Sequence, residues 1–460
     1  MTIRGLIQSS IFRRHLHVIS RSKATIKPAS PTPLNLKQYN LPLYDCIAPN
    51  YYVPMLFFYP NQNSDHGTRQ PSPNTTATTI SNQLKNSLSE TLSKYYPLAG
   101  RLTSETQVDC SDQGVDFIEV QIGCKLSEIQ GNNIVKGDKF SGHLFPPNSI
   151  WDEVPNQDSS LVRVQLNHFD CGGIAIAASV SHKLSDALTV CSFLRYWANV
   201  SRHSGDHQKL LDLCPQFPYD LMPKSCYDDS VTTKIVCPPK HWITKEIVFH
   251  NKNIETLKAT ARLKDKLDGV VDDQIYTRNE LVSALLYKCS VAAAAATSKS
   301  GEYAPSVLFQ TVNMRRMMEP TVPETSVGNI VTPIHIPTTT ESETMLNNLI
   351  KRMRKAKMQL RGIKNPNEFE LIPVKLEEYV KSNHRVVAVS SMCYFPIYKE
   401  MDFGWGRPAR VSLVDTPVSD LFTLMDTASG DGIKAVLSLE EKYLEHFQNN
   451  QELLTYGCFL

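Results

Sequence analysis

The stretch GGIAIAASVSHKLSDA, residues 172–187, decides how the rest of the chain is read. From Gly172 to Val180 the residues are small or branched and apolar, which predicts a strand. Val190, Phe193, Leu194 and Trp197 then recur at i, i+3, i+4 and i+7, so a helix begins near Ser185. His182 therefore stands at the mouth of a helix, where its ring can face a cleft. Asp186 falls in the first helical turn, where the dipole favours a negative charge. The pair has three readings. As two ligands of a divalent ion it lacks a third and fourth ligand at recognisable spacing, so no metal is expected. As two unrelated polar groups it carries no chemistry. As a base with a positioning partner it suits alcohol activation, because a neutral imidazole of pKa about 6.5 accepts a proton at neutral pH. A buried Asp186 would then need a cation.

The surrounding chain supports a globular protein. It has 460 residues, 41% hydrophobic and 20% charged, enough for roughly two or three domains. A net charge of +2 excludes a global field for nucleic acid or an anionic membrane. Eleven cysteines without C-x-x-C pairs imply reduced thiols in a cytosol-like compartment. No apolar run approaches the roughly 18 residues of a membrane span. No acid precedes Asp45, whereas Arg4, Arg13, Arg14, Arg21, Lys23 and Lys27 do. Residues 1–17 thus form a basic extension of a cytoplasmic protein or an organelle transit segment.

Periodicity divides the remainder. Residues 18–200 form a first domain, 201–240 a proline-bearing crossover, and 241–460 a second domain. Tyr51 to Tyr59 is a strand candidate, and Ile80, Leu84, Leu88 and Leu92 mark a helix over 80–95. Val162, Val164 and Leu166 alternate with Arg163 and Gln165, which predicts a half-buried strand. Thr277 to Glu280 is a capping box opening a helix. Residues 343–361 read as a basic helix with a solvated face.

A second string lies far downstream: DFGWG at 402–406, that is Asp402, Phe403, Gly404, Trp405 and Gly406, followed by Arg407 and Pro408. H-x-x-x-D in mid-chain with D-F-G-W-G beyond it is highly specific as a pair. The sequence resembles the plant BAHD acyl-CoA-dependent acyltransferases over nearly its whole length. IKPASPTP at 26–33, YPLAGR at 96–101, FDCGG at 169–173, NMR at 313–315, Gly328-Asn329 and SGDG at 429–432 carry the same resemblance. The first and third of these look most like its alkaloid acetyltransferase branch.

The resemblance implies an α/β, two-domain fold of the chloramphenicol-acetyltransferase type, with mixed sheets, flanking helices and a solvent channel between the domains. It implies His182 as general base in a direct attack on a thioester, with acyl-CoA, acetyl-CoA in the first instance, as co-substrate and no bound cofactor. Asp186 would be structural, salt-bridged to Arg315 beside Asn313. Asp402 to Gly406 would be architectural, near the CoA side. The expected partners are a small-molecule alcohol and acyl-CoA, on a monomer that binds neither nucleic acid nor membrane. Two rivals stay open: longer or branched acyl-CoA used on an acylsugar or an amine, and a catalytically silent binding protein.

The chain also departs from the family. Its S-W-C-R string appears here as Ser391-Met-Cys-Tyr394, so Met392 stands where an indole could donate to the oxyanion. A thioether has no donor, and Ser390 is the expected substitute. Lys434 replaces a common glutamate, and Cys46 a glutamine. Val53, Met55 and Phe57 align with acceptor-lining positions and are all apolar, which suits a hydrophobic acceptor carrying one hydroxyl.

Overall fold

The computed structural model describes residues 17–61, 73–129, 141–151, 158–203, 206–222, 242–267, 275–299, 301–364, 371–416 and 418–460. The basic extension up to residue 16 and the latter part of the crossover, 223–240, lie outside them. Two mixed sheets carry the fold. The first runs in the order Val18–Ile26, Val115–Ile122, Val162–Phe169, Ile174–Ser181, Tyr52–Tyr59, Arg410–Ser412. The second runs Val331–Thr338, Ser306–Asn313, Arg385–Ser391, Leu421–Asp426, Gly432–Glu440, Trp242–His250, Cys458–Phe459.

The first sheet is covered on both faces. Helices Pro73–Lys94 and Ala187–Arg202 bury Leu84, Leu88, Phe193 and Trp197 against one face. Leu126, Ile129, Leu144 and Phe145 close the other. The indole of Trp197 donates to Ser87 Oγ at 3.0 Å, which locks the two helices together. Double coverage corrects the expectation of a half-buried Val162–Phe169. Gln165 and Asn167 are fully buried there, and their amides donate to the carbonyls of His143 and Leu144 at 2.7 and 2.9 Å. A polar alternation marks solvent only when no such partner waits beneath.

Helix Pro73–Lys94 contains the expected Ile80 to Leu92 stripe, but starts earlier, over a polar turn that periodicity does not show. Helix Arg278–Thr297 opens with the capping box at Thr277 and Glu280. It is also long and apolar enough to cross a membrane, which the reading by apolar runs missed; 67% of its most apolar window is buried inside the protein. It is the core helix of the second half, packing Leu281, Leu285 and Tyr287. The basic segment forms helix Leu346–Gln359.

One strand departs from chain order. Arg410–Ser412, numbered with the second half, pairs antiparallel with Tyr52–Tyr59 at the edge of the first sheet. Met401, Phe403 and Val411 accordingly join the first core, not the second. Lys434, on the second sheet, reaches this strand: its Nζ donates to Val411 O at 3.0 Å and to Glu246 Oε1 at 3.2 Å. Arg410 lies 3.5 Å from the same carboxylate. Lys434 is thus half of a buried strap between the sheets, which gives its presence a physical reason.

Candidate active site

Strand Ile174–Ser181 is buried at every position, so it fixes rigidly the turn that follows. That turn carries His182, and Asp186 caps the next helix by accepting from Thr189 N at 2.8 Å. The two side chains then diverge. Asp186 Oδ2 accepts from Arg315 Nη1 at 2.7 Å, and Oδ1 from Nη2 at 3.2 Å. Ile330 N adds a bond to Oδ2 at 3.2 Å. Arg315 is fully buried and also donates to the carbonyls of Ser326 and Gly328. Asn313 Oδ1 accepts from the Arg315 backbone N–H and from Nη1. With its carboxylate spent on these donors, Asp186 is left to hold geometry.

His182 is half-buried and faces a cavity of about 310 Å³ between the sheets. Its backbone N–H donates to Tyr51 O at 2.9 Å, and the Tyr51 ring meets the imidazole edge-on with centroids 5.4 Å apart. Trp151 stands 5.4 Å beyond Tyr51 and donates its indole N–H to Val414 O at 2.8 Å. Burial lowers the His182 pKa below its usual 6.5, although the Asp186 charge pulls it up. The ring is therefore neutral and basic at neutral pH.

The second sheet supplies the facing wall in rows set by register. Phe309, Ala388 and Leu421 are ladder neighbours and form an apolar row. Ser390 and Thr423 are neighbours in the next row, and Thr311 lines the cavity one step beyond Gln310. Met392 also lines the cavity and is 5% exposed. Ser391 is engaged by Asn279 Nδ2 and Cys393 N, which leaves Ser390 as the better-placed hydroxyl of the two.

Val53 and Met55 line this cavity. Phe57 does not: it is 1% exposed within the first core, because the far half of its strand runs under the helices. The DFGWG segment is also remote from His182. Asp402 Oδ1 accepts from Gly404 N and Gly406 N, both at 2.9 Å, and Gln83 Nε2 and Ser201 Oγ donate to Phe403 O. Trp405 stacks on Phe403 at 5.8 Å and meets Tyr59 edge-on. The segment thus grips the last turn of the helix whose first turn holds Asp186. Sequence reasoning missed Tyr51, Trp151, Thr311 and Thr423, for which no local pattern exists.

A family model described as Transferase family matches residues 16–454. Akuammiline synthase 1 of Alstonia scholaris is 35% identical over 444 residues, covering 95% of this chain and 97% of that one. Deacetylvindoline O-acetyltransferase of Catharanthus roseus is 32% identical over 460 residues, covering 95% and 96%. The crystal structure of vinorine synthase superposes with a TM-score of 0.77 at 27% identity, covering 96% and 98%. With the two-sheet architecture, the cavity between the sheets and a family match over almost the whole chain, the protein belongs to the BAHD family of acyltransferases.

Proposed function

We propose that the protein transfers an acyl group, acetyl in the first instance, from coenzyme A to a hydroxyl of an alkaloid-type specialised metabolite. The observation that carries this reading is the neutral His182 facing a largely apolar cavity while Asp186 is fully committed to Arg315. His182 Nε2 takes the acceptor's hydroxyl proton as the oxygen attacks the thioester carbonyl. Ser390 Oγ donates to the oxyanion of the tetrahedral intermediate. The carbon–sulfur bond then breaks, and the departing thiolate receives the proton held on His182. Both substrates are gathered between two rigid sheets, so orientation supplies much of the acceleration. The apolar Val53, Met55 and Phe309 suit a hydrophobic polycyclic acceptor with few polar groups. The name of the Catharanthus relative, an O-acetyltransferase, supports the acetyl donor and the oxygen acceptor.

Coenzyme A release with labelled acetyl-CoA and a panel of alkaloid alcohols tests the reading. His182→Ala should lose turnover by about 10²–10⁴-fold while still binding acyl-CoA. Ser390→Ala should lower kcat by about 10²-fold with little change in KM. Unaltered turnover in His182→Ala, or no product from any alcohol, overturns the reading.

A further inference from the structure

A buried carboxylate outside both motifs grips the base from its other side. Asp45 lies on the short helix Leu43–Ile47 and is 1% exposed. Its Oδ1 accepts from Asn329 N at 2.6 Å and from Asn329 Nδ2 at 2.8 Å. The same Nδ2 donates to the backbone carbonyl of His182 at 2.7 Å. One amide group therefore ties Asp45 to the catalytic residue's own peptide. Two parallel ties come from the same segment. His182 N donates to Tyr51 O at 2.9 Å, and Lys183 Nζ donates to Cys46 O at 2.5 Å. Segment 45–51 thus holds His182 and Lys183 at three points, none of which involves Asp186 or Arg315.

The site is built closely around this bridge. Gly328 has φ +124°, and a Cβ there would lie 3.1 Å from Asp45 Oδ2. The chain thus needs glycine to bring Asn329 beside Asp45. Among the described residues Oδ2 has no hydrogen-bond partner, and it is shielded from solvent. Burial raises the Asp45 pKa to about 7, and Oδ1 accepts from Asn329 whether or not the group carries a proton. Burial disfavours the bare carboxylate relative to the neutral acid, which is why the pKa rises.

We propose that Asp45 is a positioning residue for the acyl transfer, acting through the Asn329 amide to set the height and tilt of the His182 peptide. The inference rests on His182 being the base. It gives a reason for a carboxyl group kept this deep with only the Lys183 cation nearby: its task is to orient one side-chain amide whose two hydrogens serve two carbonyl-type acceptors. An oxygen at the Oδ1 position is all that the bridge requires.

The test compares Asp45→Ala, Asp45→Asn and Asn329→Ala in the full chain, with kcat normalised to acyl-CoA-binding sites. Asp45→Ala and Asn329→Ala should each lose about 10²-fold in kcat with KM held, and Asp45→Asn should return to within about threefold of the parent. A residue that serves only folding would lower melting temperature and yield but leave kcat per binding site unchanged. If Asp45→Ala does not fold, Asn329→Ala cuts the same bridge next to His182 and carries the test alone. Parental kcat in either alanine variant, or no rescue in Asp45→Asn, overturns the proposal. His182→Ala separates the two levels: turnover retained there removes the base assignment itself, whereas loss there with parental kcat in Asn329→Ala removes only the role of Asp45.

Discussion

At the scale of single residues the site separates chemistry from geometry by burial. His182 is neutral because burial disfavours its cation, so the acid limb of kcat/KM should lie below pH 6.5 and activity should rise as pH rises through it. A limb at or above 6.5 in the pH profile would contradict this. Asp45 has the opposite sign. Its folded pKa of about 7 exceeds the usual 3.8, so the folded state retains a proton that the unfolded chain gives up between those values. The associated stability is complete below 3.8 and lost as pH rises through about 7. Asp45→Asn removes this dependence. Its melting temperature, compared with the parent, should increase between about pH 4 and about pH 8, and thermal melts at both ends check it. Of these residues, His182, Asp186, Asn313 and Arg315 were legible because they belong to short strings. Asp45 was not, and Asn329 was legible only as part of the Gly328-Asn329 string, because a bridge between residues so far apart in sequence leaves no local period. Phe57 misled for a related reason: alternation gives the face of a strand, not the point at which the cavity ends.

At the scale of elements, helix Ala187–Arg202 is the rod on which the site is hung. Its first turn is fastened by Asp186 to Arg315, and its last by Ser201 to Phe403 O at 2.8 Å. Arg202 adds an ion contact to Asp402 at 3.6 Å. Sixteen residues of helix span about 24 Å, so this rod couples DFGWG to His182 at a distance. Asp186→Ala strips the cap and strands a fully buried guanidinium, for which about 3–5 kcal/mol of lost stability is expected in denaturant melts. Asp402→Ala should instead cost about 1–2 kcal/mol, because it frees two loop amides at a partly exposed site. Equal losses in the two variants would argue against a rod fastened unequally at its ends. The helix itself was legible from its apolar spacing. What grips its far end was not, since Gln83 and Ser201 are ordinary polar residues until the chain folds.

At the scale of the whole molecule, the two halves are joined by a strand that belongs by number to one and by hydrogen bonds to the other. The fold class was legible through the two motifs, but a three-residue strand such as Arg410–Ser412 is too short for any periodicity to reveal. In its strap Lys434 and Glu246 are buried and Arg410 is partly so. Glu246→Ala leaves two cations without their shared partner. It should cost about 3–5 kcal/mol and split calorimetric unfolding into two transitions, whereas a single transition at lower temperature would show that the strap does not couple the sheets. The same strand bears on how the protein is made. Tyr52–Tyr59 leaves the ribosome early, yet its edge partner is translated near the end of the chain. At about 5–20 residues per second, the nascent first half carries an open apolar sheet edge for tens of seconds. Until then its hydrogen-bonding row is unpaired, a state in which cover of that edge late in translation would guard against pairing with neighbouring chains.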